Sequence, residues 1–321
     1  MIETRLTRAL GLEHPVILAP MAGVAGGALA AAVSRAGGLG LIGGGYGDDA
    51  WIAEQFAAAG NQPVGVGFIT WKLAGSPDLL GRVLQRRPRA VMLSFGDPAI
   101  FAGQVWAAGV TLICQVQTRA DAEVAVDAGV DVIVAQGTEA GGHGARRATF
   151  TLVPEVADLI AAKGSKSLLV AAGGIADGRG LAAALMLGAD GVLIGTRLWA
   201  SAEALVPDGQ AEAAIRASGD ATIRTRTVDV VRDLPWPEPY DIRVLANRFT
   251  DRWHNDLDGL RAAARVEGPK WQKAFAEGDA AHGNAVVGEA IGMIHDRPPA
   301  ADIIGALVRE ARALLDGGWQ R

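Results

Sequence analysis

Short β-branched or apolar runs recur along residues 16–194, each followed by an Ala/Leu-rich stretch of helical character. They are Val16–Ala19, Leu39–Ile42, Val64–Phe68, Ala90–Leu93, Thr111–Cys114, Asp131–Val134, Leu168–Ala171 and Gly191–Ile194. A strand with one solvated face would alternate apolar and polar residues. Runs without alternation are what a parallel sheet buried on both faces requires. The intervals suit a strand, a short helix and two tight loops, so the pattern predicts eight βα units. Eight units favour a closed (β/α)8 TIM barrel, in the α/β class, over an open doubly wound sheet.

Two departures from regularity are informative. The longest interval, between Asp131 and Leu168, holds the polar glycine loop Gly137–Arg147, and barrel enzymes keep their chemistry on such loops at strand C-termini. After Thr196 the chain changes character. It passes Arg224, Arg226, Arg232 and the Pro235–Pro239 turn into a polar stretch that reads as helical from Ile242 to about Gly278. Amphipathic runs return at Asn284–Met293 and Ala300–Leu315. The expected organisation is therefore a barrel over residues 1–199, completed by 284–321, with an inserted, mainly helical domain at 200–283 covering the active-site face.

Composition narrows the class. The 321 residues are 50% hydrophobic and 20% charged, enough for a large core and too apolar for a disordered chain. Glycine, at 43 residues, is about twice its usual ~7% share. Abundant Ala and the rarity of Lys beside Arg give that excess a compositional origin, so only glycine placement is informative. A net charge of −5 without basic runs argues against nucleic-acid binding. The single cysteine, Cys114, lies in an apolar run and reads as a small core residue in a reducing compartment. Glu3, Arg5, Arg8 and Glu13 interrupt the start of the chain, so no signal peptide is expected there. No apolar stretch is long enough to span a membrane. The expected location is the cytoplasm.

The densest chemical signal lies at the ends of strands seven and eight. Ala172-Gly173-Gly174-Ile175 closes one and Ile194-Gly195-Thr196 the next. In a barrel these loops lie side by side and commonly bind phosphate, because glycine lets backbone N–H groups approach an anion and a Thr hydroxyl adds a donor. The alternative is a pair of ordinary tight turns. His143, between Gly142 and Gly144, is the one histidine set in a glycine loop, and its titration range suits proton transfer. His14, His254, His282 and His295 lack that setting. No zinc-ligand spacing and no Gly-x-Ser-x-Gly motif occurs, so neither a metal site nor a serine nucleophile is expected.

Ala19-Pro20-Met21-Ala22-Gly23, Ala36–Gly40 with Gly43–Gly45, Gln136–His143, Ala172–Gly178 and Gly195–Arg197 together resemble the nitronate monooxygenase (2-nitropropane dioxygenase) family, and Arg243–Trp253 is similar to its second domain. FMN-dependent enoyl-ACP reductases and NAD(P)H:quinone reductases are relatives. The resemblance implies an FMN-binding barrel, with the flavin ring near Ala19, Pro20 and Met21 and its polar groups near Gln115, Gln136, Gly141 and Gly142. The phosphate would lie on Gly173, Gly174, Gly195 and Thr196, and His143 matches the catalytic histidine. Gly67 stands where the family typically has Asn. Gln115 and Gln117 occupy strand five, where some relatives carry Lys. Trp199, Trp236 and Trp253 are candidates to roof the flavin.

The expected activity is oxidation of a small anionic substrate, an alkyl nitronate, by O2 to a carbonyl compound and nitrite. Alternatives are an FMN-dependent reductase that draws on NAD(P)H to reduce an enoyl thioester or quinone, and a non-catalytic flavin-binding barrel. Neither nucleic acid nor membrane is an expected partner, and a homodimer is among the possible assemblies.

Overall fold

The computed structural model describes residues 2–318. Eleven strands are present: β1 (Val16–Leu18), β2 (Leu41–Gly45), β3 (Gly65–Ile69), β4 (Ala90–Ser94), β5 (Thr111–Val116), β6 (Val132–Gln136), β7 (Gly142–Gly144), β8 (Leu168–Ala172), β9 (Gly191–Ile194), β10 (Thr222–Thr225) and β11 (Asp241–Leu245). Eight of them form one parallel sheet in the order β1-β9-β8-β6-β5-β4-β3-β2. Its two ends meet where Leu18 N–H donates to the Leu39 carbonyl (2.9 Å) and Leu39 N–H to that of Val16 (3.0 Å), closing a TIM barrel. All eight apolar runs lie on these strands or at their edges, as the absence of alternation predicts.

The strands bury both faces, and the inward and outward positions differ in partners. Ile17, Leu41, Met92, Ile113, Val134 and Val170 fill the interior, and Leu6 of the N-terminal helix Arg5–Leu10 packs with them. The neighbouring outward positions, such as Cys114, Ile133 and Ala171, pack under the helical layer. Cys114 is 2% exposed, and burial pushes its thiol up to about 12. The final helix, Ala300–Gly317, packs on Gly178–Met186 and Gly27–Arg35 and so completes the outer ring. No helix among the described residues is long and apolar enough to cross a membrane.

Beyond Thr196 the structure departs from the sequence expectation in two places. The stretch beginning at Ile242 opens as strand β11, with helices only at Arg248–Trp253 and Leu257–Glu277. Ile242 and Val244 face the lobe core, whereas Arg243 between them is also buried and bonds to Thr138 and Thr222. Asn284–Met293 is an irregular segment ending in a 3-10 turn at Glu289–Met293, not an α-helix. Gly288 there packs so closely on Glu139 and Gly141 that a Cβ would lie 2.5 Å from the Glu139 carbonyl oxygen.

Within residues 200–283, helix Asp208–Ile215 contributes Ala211 and Ala214 to the barrel's outer core. Val228, Val244, Phe249, Trp253, Leu260 and Trp271 form a separate core. That lobe carries the antiparallel sheet β10-β11-β7, whose third strand comes from the loop after β6.

Close helix–barrel contact is concentrated at Gly40, where a Cβ would stand 1.9 Å from the Ala30 carbonyl oxygen. Gly103, exposed on helix Ala99–Ala107, has no atom within 4 Å of a Cβ position. Gly40→Ala is therefore expected to cost about 1–3 kcal/mol through backbone displacement, whereas Gly103→Ala should gain up to about 1 kcal/mol from helix propensity. Urea unfolding of the two variants checks both signs.

Candidate active site

The C-terminal ends of the strands surround a cavity of about 360 Å³. Parallel register brings its walls together: Leu18 lies beside Ile194, Ala172 beside Leu193, and Gln136 beside Ala172. Each candidate from the sequence lines this one cavity, namely Ala19, Pro20, Met21, Gln115, Gln136, Gly141, Gly142, His143, Gly173, Gly174, Gly195 and Thr196.

The glycine turns have distinct local causes. Gly173 and Gly174 adopt φ of +105° and +73°, a region that L side chains rarely enter. Gly195 has an ordinary φ of −101°, and its absent side chain leaves space, with Ala19 Cβ 3.6 Å from the Cβ position. Among the described residues, the N–H groups of Gly174, Gly195 and Thr196 donate to no acceptor on the protein. Thr196 Oγ1 accepts from Gly288 N–H at 2.9 Å, which leaves the hydroxyl proton free to donate. This corner offers hydrogen-bond donors, and the nearby Glu139 carboxylate, which is not among the cavity's lining residues, is taken up by Thr149 N–H and Oγ1–H, which suits the corner to an anion.

On the barrel side, Gln136 Oε1 accepts from Gln115 Nε2 (3.1 Å) and Gln117 Nε2 (3.0 Å). Gln115 and Gln136 form the top polar layer of the interior, while Gln117 does not line the cavity. Gly67 does line it. A Cβ there would meet Pro20 Cγ at 2.3 Å, so the Pro20 ring occupies the space that an Asn side chain would need.

His143 stands where barrel and lobe meet. It pairs with Ile242 of β11, and Gly142 enters the strand at φ +78°. Arg224 donates to the Thr138 hydroxyl at 3.0 Å, and Arg243 to the Thr138 carbonyl at 3.0 Å, tying the loop to the lobe. The imidazole Nε2 lies 2.9 and 3.1 Å from the two Asp229 carboxylate oxygens. Its plane stacks on Trp236, with ring centroids 3.4 Å apart and planes 9° from parallel. Burial lowers the His143 pKa below its ordinary value, aided by Arg232 and Arg224 and opposed by Asp229. The neutral ring is thus favoured, and among the described residues Nδ1 has no hydrogen-bond partner while His143 lines the cavity.

An aromatic wall surrounds the histidine. Phe95 holds a left-handed φ of 65°, a strained state for a bulky residue, and sets its ring edge-on to Trp236 (5.0 Å) and Tyr240 (5.1 Å). Trp236 Nε1 donates to the Tyr46 hydroxyl at 3.0 Å. Of the three roof candidates, Trp199 and Trp236 line the cavity, whereas Trp253 is buried in the lobe core. Among the described residues that line the cavity, Arg232 is the only Asp, Glu, Lys or Arg, and it lies over the Tyr46 ring at 5.3 Å. Sequence reading missed Tyr46, Phe95, Asp229 and Arg232; the strand-end positions of Tyr46, after β2, and Phe95, after β4, were the available signal.

The nitronate monooxygenase family profile matches residues 3–70 and 70–310. The chain belongs to that family. Nitronate monooxygenase npaC of Metarhizium robertsii is 36% identical, over 94% of this chain and 91% of that one. Among solved structures, FabK of Thermotoga maritima superposes with a TM-score of 0.86 at 30% identity, covering 98% of both chains. Nitroalkane oxidase of Streptomyces ansochromogenes gives 0.82 at 25% identity, over 97% of this chain and 99% of that one.

Tyr46 and Tyr240 are the only tyrosines in the chain, and both belong to this region. Burial raises both, Tyr240 to about 12. Native protein should therefore show less tyrosinate absorbance at pH 10 than an unfolded chain, which is about half ionised there. Because the folded values are the higher ones, this contribution to stability is complete below pH ~10 and is lost as pH rises through the folded values. Ultraviolet titration of native and denatured protein checks this.

Proposed function

We propose that this protein binds FMN in the cavity and uses it to oxidise alkyl nitronates with O2, giving a carbonyl compound and nitrite. The observation that carries the reading is His143, held neutral at the cavity wall with Nδ1 unpartnered, in the same cavity as a corner of unpaired N–H donors. Family membership and the likeness to a nitroalkane oxidase support it.

The residues fit the cofactor. Gly174, Gly195 and Thr196 would hold the phosphate through backbone N–H groups and the Thr196 hydroxyl, with Gly173 shaping the turn. Ala19, Pro20 and Met21 would flank the ring system, Gln115 and Gln136 would meet its polar groups with neutral amides, and Gly141 and Gly142 would admit it closely. When bound, the flavin supplies the redox chemistry, accepting electrons from the substrate and passing them to O2.

The chain's own groups handle charge and protons. Arg232 gives the cavity a positive charge that draws in an anionic nitronate. A nitronate has already lost its α-proton and needs no base. A neutral nitroalkane must surrender that proton, and His143 Nδ1 is the acceptor available to take it. Trp236, Phe95 and Tyr46 form an apolar wall that excludes water from the substrate. We place the cover over this site in residues 200–283.

His143→Ala should retain FMN and lose about 10²–10⁴-fold in rate on a neutral nitroalkane that the native enzyme accepts, with a smaller loss on the corresponding nitronate. Nitrite release with each substrate form measures the split, and equal losses on both would remove the base role. Gly174→Val and Gly195→Val should each yield folded protein depleted of FMN, the first through a strained turn and the second by filling the open corner. Full flavin content in both would locate the phosphate elsewhere.

A further inference from the structure

We propose that Asp229 is a positioning residue that holds the His143 imidazole as its Nε2–H tautomer and so presents Nδ1 to the cavity as the proton acceptor. The kinetic consequence rests on the nitronate reading; the tautomer does not.

Asp229 lies on the short helix Thr227–Val231, and its side chain is 3% exposed. Removing a carboxylate from water costs several kcal/mol unless good partners compensate it. Most buried carboxylates meet Arg, Lys or several backbone N–H groups. Here, among the described residues, the carboxylate's hydrogen-bond partner is His143 Nε2 alone, approached by both oxygens. An ionised carboxylate can only accept, so Nε2 must carry the proton. The neutral ring then has its lone pair on Nδ1.

The surroundings hold the ring in this arrangement. Trp236 covers one face and the Phe95 ring stands edge-on, with centroids 6.3 Å away. Strand pairing of Gly142–Gly144 with Asp241–Arg243 fixes the backbone. The helix is locked in turn, because Val228 and Val231 are buried in the lobe core on either side of Asp229. A rotation of the imidazole would leave the buried carboxylate without a donor.

The charged groups acting on His143 are Asp229 and Arg232 on or beside this helix and Arg224 on β10. Asp229 raises its basicity; the two arginines and burial lower it. The tyrosines Tyr46 and Tyr240 lie beyond Trp236 and Phe95, and burial pushes the ionisation of both up, so they carry no charge near pH 7. Asp229→Asn removes the one charge that favours the imidazolium, so the pKa of His143 must fall further. The Asn amide can also donate to Nε2 and thereby select the opposite tautomer.

The test uses full-length protein labelled with 15N-histidine, with the His143 signals identified by their loss in His143→Ala. Native protein should show a protonated Nε2 and an unprotonated Nδ1 near pH 7. In Asp229→Asn the pattern should invert, the rate on a neutral nitroalkane should fall about 10²–10⁴-fold, and the acidic limb of its pH profile should move to lower pH. The limb moves that way because activity needs neutral His143 and the variant's histidine loses its proton at lower pH. A native Nδ1–H tautomer overturns the proposal without need of any variant. So does an Asp229→Asn protein with unchanged tautomer and unmoved limb. If native protein oxidises no nitro compound, the nitronate reading fails while the tautomer measurement still decides the role of Asp229.

Discussion

Three residues of backbone, Gly142 to Gly144, hold the mouth of this barrel together. They leave the barrel after β6 and pair with β11 of the lobe, so His143 is suspended between two separately packed cores. Chain geometry explains the glycines: Gly142 takes a left-handed φ, and a Cβ on Gly144 would lie 2.6 Å from Arg224 Nη2. Arg224 and Arg243 anchor the loop at Thr138. The stacking, the His143–Asp229 hydrogen bond and the cavity wall all follow from this junction.

The division of labour along the cavity follows from what each part of the fold can offer. Strand ends supply backbone N–H groups and neutral amides at fixed positions, which suits an anion and a polar ring system. The lobe supplies aromatic surface and the side chains that set charge, Asp229 and Arg232. Burial makes these charges effective, since a carboxylate beside a histidine interacts more strongly away from water. The cost is a carboxylate and an imidazole withheld from solvent, stable together and expensive apart.

The barrel was legible because parallel strands buried on both faces write themselves as uninterrupted apolar runs. The cavity residues were legible because glycine pairs at strand ends, and a histidine among glycines, have few other uses. Asp229 was not. It follows the polar Arg224–Thr227 segment as an ordinary helical acid, and its partner is distant in sequence. Strands β10 and β11 were overlooked although Asp241-Ile242-Arg243-Val244 alternates, since their charged positions read as a polar helix. Phe95 carries no sequence mark of its left-handed backbone, which packing imposes. The consequence of Gly67 was equally hidden, because only the structure brings Pro20 against it.

The central claim is that a small anion, and not a nicotinamide nucleotide, delivers electrons in this cavity. Anaerobic mixing of the FMN-bound protein with an alkyl nitronate, NADH or NADPH, followed by flavin absorbance, tests it most directly. The account predicts bleaching by the nitronate and little change with either nucleotide. Rapid bleaching by NADH or NADPH, with none by any nitronate, would contradict it and make the protein a reductase.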